Sequence, residues 1–249
     1  KRKFIPDTIP KMKTPMAQIA SALGNYFGGL PLDAIQRQQA QDYGVYLSES
    51  GIYNWVIRFS KEAIRQVKDF MPKVGNIWLA DETTIDAEGR KFWFWDIIDE
   101  KTRYLLASHL TATRTTRDAT RLMEKAYKVA GKAPKEIITD RLRSYIDAIE
   151  LTFGADTKHI QTRPFVSGDS TNMIERFHGT LKDRMNVVRG FKNLETARLL
   201  TNAWLIHYNF FKEHSSLGDI PPALSMKISV PFKDWNDVLT NSLNRYKKA

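Results

Sequence analysis

Three carboxylates stand where two divalent cations could be held between separate elements of the chain. Asp81 closes the apolar run NIWLAD, Asp140 closes EIITD, and Glu175 lies within STNMIERFHGTLKDR. Fifty-eight residues separate the first pair and 34 the second. The first two follow strand-like runs and the third falls on a helix. That order suits in-line displacement at phosphorus, in which two metals about 3.5–4 Å apart activate the attacking oxygen and stabilise the leaving one. Hard cations such as magnesium take oxygen ligands rather than thiolate or imidazole. Lys182 lies seven residues beyond Glu175 and returns to within about 20° of the same helical face, with His178 and Gly179 between them. An ammonium there can grip a phosphate as a point charge while the carboxylate holds metal.

Each of these residues alone has an ordinary reading. Asp140 precedes a helix and suits an N-cap. Asp81 could close a turn, and Glu82, Asp86, Asp96 and Asp99 are acidic neighbours. Glu175 and Lys182 fit a solvated helical face. His178 reads as a substrate-contacting or surface residue, and His207 and His214 as structural ones, since no second His or Cys sits at zinc-ligand spacing. The aromatic run FWFWDII is core by default. Only the joint pattern lifts the triad above these readings.

The elements that must position the carboxylates can be read from periodicity. NIWLAD, KFWFWDIID and RYLLASHLT form three successive strands, with DAEGR turning between the first two. A helix over Thr116–Ala130 stops at Gly131, ahead of Pro134. EIITD is a fourth strand, RLRSYIDAIEL a helix, KHIQ a short fifth strand, and helices cover 172–189 and 194–213. Asp81 and Asp140 thus fall at carboxyl ends of strands, where open α/β sheets place ligands. The order β-β-β-α-β-α-β-α is that of a ribonuclease-H-like α/β fold, a mixed sheet flanked by helices. Phe165–Thr171, with its Gly and Ser, is expected to be mobile and to order on DNA or metal.

MPKVG near Met71–Gly75 divides the chain into a helical unit over 1–72 and a catalytic unit over 73–249. The first unit holds three helices, with Gly44 as the hinge between the second and third. Ser48 is positioned to cap the third helix, whose Ile52, Trp55, Val56 and Phe59 make a buried stripe. Glu49, Ser50, Tyr53, Asn54 and Arg58 are left to face outward. A short helix, a Gly-containing turn and a second helix outline a helix-turn-helix, whose second helix enters the DNA major groove. A plain three-helix bundle has similar spacing.

Composition narrows the partners. A net charge of +10 favours a polyanion. The absence of cysteine removes disulfides and thiolate zinc sites and is compatible with a reducing compartment. No apolar stretch approaches the roughly 18 residues of a membrane span. Six Trp and thirteen Phe are ample for a packed core.

Residues 26–224 resemble the DDE transposases of bacterial and archaeal insertion sequences, most closely insertion-sequence family six. WLADET is similar to the motif around the first catalytic Asp of that family, ITDRLRSY to the second, and NMIERFHGTLKDRMNVVRGFK to the third with its downstream basic residue at Lys182. HYNFFKEHSSLGDIPPA resembles the segment that closes the catalytic domain, and YFGGLPLDAIQ with SGIYNWV the helix-turn-helix. Asn54 replaces the arginine usual before the Trp of the second helix. The resemblance implies hydrolysis at the 3′ ends of an element, then attack of the freed 3′ hydroxyl on target DNA. It further implies Asp81, Asp140 and Glu175 as catalytic metal ligands, with Asp81 bridging two Mg2+ ions (Mn2+ as substitute). Lys182, Arg184, His178, Arg141 and Arg143, with Ser50, Tyr53, Asn54 and Arg58 of the helix-turn-helix, are the implied DNA-binding residues. The implied partners are double-stranded DNA, as terminal repeats and target, and further copies in a dimer or higher oligomer. Neither a membrane nor a small-molecule substrate is expected, and the implied setting is the nucleoid of a prokaryotic cytoplasm. A catalytically silent DNA-binding descendant and a structure-specific nuclease on the same fold remain the alternatives.

Overall fold

The computed structural model describes Ile9 and residues 12–162, 169–188 and 190–248. Three helices open the chain: α1 (Met16–Gly28), α2 (Leu32–Tyr43) and α3 (Glu49–Gln66). Gly44 takes a left-handed conformation (φ 65°) that ends α2. The Ser48 hydroxyl accepts from Gly51 N at 3.1 Å and caps α3 as expected. Ile52, Val56 and Phe59 are buried, while Trp55 is half-buried.

Strands β1 (Ile77–Ala87), β2 (Arg90–Asp99) and β3 (Leu105–Thr111) follow, then α4 (Thr116–Ala130), β4 (Glu136–Thr139), α5 (Arg143–Phe153) and β5 (Lys158–Gln161). The chain continues through α6 (Asp169–Val188), α7 (Leu194–Phe210), the short α8 (Pro222–Ser225) and α9 (Trp235–Lys248). Among the described residues the sheet has five strands in the order β3-β2-β1-β4-β5. β1, β2 and β3 pair antiparallel, while β1, β4 and β5 pair parallel. This is the ribonuclease-H-like arrangement expected from the alternation of elements. The parallel pairs require crossovers, supplied by α4 and α5.

The first strand differs from its expected extent. β1 does not stop at Asp81 but runs on to Ala87, because ETTIDA pairs residue by residue with β2 as far as Ala87↔Arg90. Asp81 therefore sits inside a strand rather than at its end, and the turn shrinks to Glu88-Gly89. Both residues have positive φ (54° and 71°), the conformation a two-residue hairpin needs. Glu88 adopts it without glycine's freedom and is held from outside. Its N–H donates to Phe191 O at 2.8 Å, and its Oε1 accepts from Leu194 N at 2.9 Å. The last helices also shift, α6 starting at Asp169 and α7 ending at Phe210. The expectation for Phe165–Thr171 falls outside the described residues up to 168, and from Asp169 onward the backbone is helical.

α4 and α5 pack together, with α4 against β2 and β3, and α6 packs on β1. Phe177 of α6 meets Trp204 and Tyr208 of α7 at centroid distances of 5.7 and 5.1 Å. The N-terminal helices join this body: α3 packs on α7 and α9, and α1 on α9, where Phe27 stacks on Trp235 at 5.0 Å. One continuous apolar core includes residues from both parts of the chain. Among the described residues no helix is long and apolar enough to cross a membrane.

Phe59 is fully buried in α3. Phe59→Ala should cost about 3–5 kcal/mol by removing an aromatic ring from a packed core. Urea denaturation followed by tryptophan fluorescence measures it, and an unmoved midpoint would show that α3 contributes little to the common core.

Candidate active site

The β1·β4 register brings the two aspartates together. Leu79 pairs with Ile138, an offset of 59, and the same offset two steps on sets Asp81 opposite Asp140. Across the antiparallel pairing Asp81 also faces Asp96 of β2. Successive residues of a strand point to opposite faces. Asp81 therefore lies toward α6, and Glu82 toward α5. His178 of α6 covers the first face, its Nε2 2.7 Å from Asp96 Oδ2 and its Nδ1 3.6 Å from Asp81 Oδ2. Tyr145 of α5 covers the second, its hydroxyl donating to Glu82 Oε2 at 2.7 Å. Arg114, just before α4, contacts Glu82 Oε1 and places a guanidinium nitrogen 4.0 Å from Asp140 Oδ2.

Asp140 uses its other oxygen locally: Oδ1 accepts from Leu142 N at 2.8 Å, turning the chain into α5. The N-cap position of α5 is Leu142 rather than Asp140, whose carboxylate closes a turn ahead of the helix instead. Glu175 is exposed on α6 and lines, with Asp81 and Asp140, a pocket of about 120 Å³. Among the described residues the carboxylates with oxygens within 4.8 Å of one another are Asp81, Glu82 and Asp140. Glu175 shares the pocket without joining that cluster.

Crowding buried acids raises their proton affinity. Burial, with Asp96 and Glu82 adding repulsion, pushes the Asp81 carboxyl up to about 7, although His178 opposes the shift. Burial also raises Glu82 against the pull of Tyr145 and Arg114. It raises the fully buried Asp96 despite His178. His178 itself is pushed down by burial, but Asp96 and Asp81 prevail and its affinity for the proton ends above the ordinary value. A divalent cation would relieve this repulsion, and the donors are the hard oxygens such a cation prefers. The residues present therefore fit a metal.

Other expected site residues divide by burial. Lys182 is exposed one helical repeat from Glu175, and Arg141 and Arg143 are exposed beside Asp140. His178 is a correction: it is buried, because α6 turns it inward with Ile174, Phe177 and Leu181, and Asp96 holds it. Arg184 is a second correction. It is 4% exposed, lying 4.0 Å over the Tyr26 ring and bonding Leu30 O, so internal contacts take most of its surface. In α3, Ser50 and Asn54 are exposed and Tyr53 is half-buried. Arg58, expected to face outward, is also half-buried and packs on Tyr246 of α9. Ser50 and Tyr53 line a cleft of about 1090 Å³ that runs to Asn186 and Lys192 beyond the active face. Reasoning from sequence missed Arg114 and Tyr145, and treated Asp96 and Glu82 only as acidic neighbours. Cross-strand register was the information it lacked.

The sequence profile of a DDE-domain family, that of IS240-type transposases, matches residues 75–214. The chain belongs to the DDE transposase family. Its class of chemistry is that of a metal-dependent polynucleotidyl transferase. No curated protein matches this DDE transposase chain. Among solved structures, the HTLV-2 integrase catalytic core domain in complex with magnesium (trimeric form) is 16% identical, with a TM-score of 0.49 over 63% of this chain and 98% of that one. The simian T-cell lymphotropic virus intasome, in complex with PP2A regulatory subunit B56 gamma, is 16% identical with a TM-score of 0.49, over 84% and 74%. The BIV integrase catalytic core is 14% identical with a TM-score of 0.45, over 61% and 94%.

A metal held by Asp81 would compete with its proton. Its ordinary value is 3.8 and its folded value about 7, so the protonated form favours the folded protein. That contribution is complete below about pH 4 and is lost as pH rises through 7. Magnesium should therefore raise the melting temperature more at pH 8 than at pH 6, and Asp81→Asn should shrink that difference. Equal upshifts at both pH values in scanning fluorimetry would remove Asp81 from the ion's ligands.

Proposed function

We propose that the protein is an insertion-sequence transposase that cuts the 3′ ends of its element and joins them to target DNA. Asp81, Asp140 and Glu175 are the catalytic carboxylates of this reading, which the pocket they share supports most directly. They hold two magnesium ions, with manganese as substitute. The bound metal supplies Lewis acidity to the attacking and leaving oxygens at phosphorus.

The chain's own groups then have distinct tasks. His178 steadies the Asp81 face by engaging Asp96, and Tyr145 with Arg114 steadies the Glu82 face. Lys182, exposed on the helix that carries Glu175, grips a DNA phosphate, with Arg141 and Arg143 flanking Asp140. Residues 1–72 act as the DNA-reading unit and 73–249 as the catalytic one. α2 and α3 form the helix-turn-helix, which presents Ser50 and Asn54 to terminal-repeat DNA, with Tyr53 along the cleft below. Pairing two element ends calls for at least a dimer, working on nucleoid DNA in a prokaryotic cytoplasm.

Incubation with magnesium, a labelled duplex from the DNA flanking the gene, and supercoiled plasmid tests the reading. Wild type should give joined products, and Asp81→Ala, Asp140→Ala and Glu175→Ala should each give none while binding the duplex normally. Cleavage without joining would replace the transposase with a nuclease. Binding without either reaction would indicate a silent descendant. Lys182→Ala should lower the slope of log affinity against log salt by about 0.9, the share of one phosphate contact. An unchanged slope removes Lys182 from the backbone contacts.

A further inference from the structure

Arg114 is the group in the site that neither the sequence motifs nor the carboxylate triad accounts for. Its guanidinium is fixed from two sides. Glu82 Oε1 accepts from one terminal nitrogen, and the Trp93 ring lies 4.6 Å beneath the central carbon. The same nitrogen stands 4.0 Å from Asp140 Oδ2. Among the described residues the other guanidinium nitrogens make no hydrogen bond. The side chain is 35% exposed, whereas Glu82 is 2% exposed. A cation is thus held beside Asp140, at the edge of the acidic cluster, with donors to spare.

Glu82 has the opposite character. Both of its oxygens are engaged, one by Tyr145 and one by Arg114, and Tyr145 is fully buried against Trp95. Closeness alone would count Glu82 with Asp81 and Asp140 as a metal ligand. Each oxygen keeps a second lone pair, but the Glu82 side chain is almost fully enclosed and an ion on it would stand against the Arg114 guanidinium, whose charge repels it.

We infer that Glu82 is the anchor of Arg114 rather than a metal ligand, and that Arg114 donates to a non-bridging oxygen of the scissile phosphate. The inference rests on the transposase reading for its substrate. In strand transfer the 3′ oxygen bonds to phosphorus as the target's bond from phosphorus to its own 3′ oxygen breaks. The attacking hydroxyl releases its proton to solvent, and the leaving oxygen takes one up. Negative charge on the non-bridging oxygens grows as the attacking oxygen adds to phosphorus, so a preorganised guanidinium fork stabilises the transition state more than the bound substrate. Arg114 is then a catalytic residue, and Glu82, Tyr145 and Trp93 are its positioning residues.

The test uses the full chain with Arg114→Ala, Arg114→Lys, Glu82→Gln and the double variant Glu82→Gln/Arg114→Ala. The amide introduced by Glu82→Gln still accepts from Tyr145 and carries no charge, so the double variant should melt near wild type even if Arg114→Ala does not. Joining at saturating duplex should fall about 10²–10³-fold in Arg114→Ala, the cost of losing one such donor. It should stay low in Arg114→Lys and in the double variant. Recovery of joining in the double variant would reduce Arg114 to a structural partner of Glu82. Two readouts need no turnover. Manganese titration should find the same number of ions in Glu82→Gln as in wild type, and loss of an ion would make Glu82 a ligand. In calcium, replacing the scissile phosphate by methylphosphonate should weaken duplex binding by wild type but not by the double variant. Equal weakening in both would overturn the phosphate contact. If wild type binds yet joins nothing, the transposase reading fails, and these two readouts still decide the inference.

Discussion

The parallel pairing of β1 with β4 brings the two aspartates into one pocket. Its register sets Asp81 against Asp140 across neighbouring strands, while the antiparallel pairing on the other side sets Asp81 against Asp96. Three acids are thereby concentrated by backbone hydrogen bonding alone, before any side chain chooses a rotamer. Buried carboxylates so close are costly unless paired or neutralised. The surroundings supply partial relief, with His178 between Asp81 and Asp96 and Arg114 between Glu82 and Asp140. Burial nevertheless dominates at Asp81 and pushes its carboxyl up to about 7.

The sequence carried the order of elements almost completely, because strand and helix periodicities are local. It also singled out Asp81 and Asp140 as a pair, since each closes an apolar run. It erred on the length of β1, where ETTIDA alternates too mildly to announce a strand and is held by pairing with the aromatic β2. The inward turn of His178 was hidden for a related reason. The Glu175–Lys182 face is defined by what is exposed, and His178 sits at its border, where α6 meets β1 and Asp96 waits beneath. Residues that act through register, such as Asp96, or through a loop 32 positions away, such as Arg114 on Glu82, leave no local pattern.

Charge was the least transferable part of the reading. A net +10 describes the whole chain, but several cations are spent on internal contacts. Arg184 is locked over Tyr26, Arg245 bonds Glu62, and Arg58 packs on Tyr246. These contacts tie α1, α3 and α9 to one another and to α6, so part of the basic surplus serves assembly of the body. Lys182, Arg141 and Arg143 keep their charge at the surface beside the acidic pocket. The exposed cations thus surround a cluster of half-buried acids.

Asp81 and Glu82 place the pocket on the seam between two helical layers. Because strand neighbours point to opposite faces, the layer holding α6 controls Asp81 through His178, and the layer holding α4 and α5 controls Glu82 through Tyr145 and Arg114. Asp140, at the end of the short β4, is reached from both. The pocket itself is lined by β1, β4, Thr162 and α6, with Glu82, Tyr145 and Arg114 beside it. A displacement of α6 would alter Glu175 and the His178 contact together, while a displacement at the start of α4 or α5 would alter Arg114, Tyr145 and the turn at Asp140 together. The strand pair between them is the rigid member, buried through Trp78, Leu79, Trp95 and Ile97. The sheet thus fixes the spacing of Asp81 and Asp140, and the helices on either side set the partners of each carboxylate.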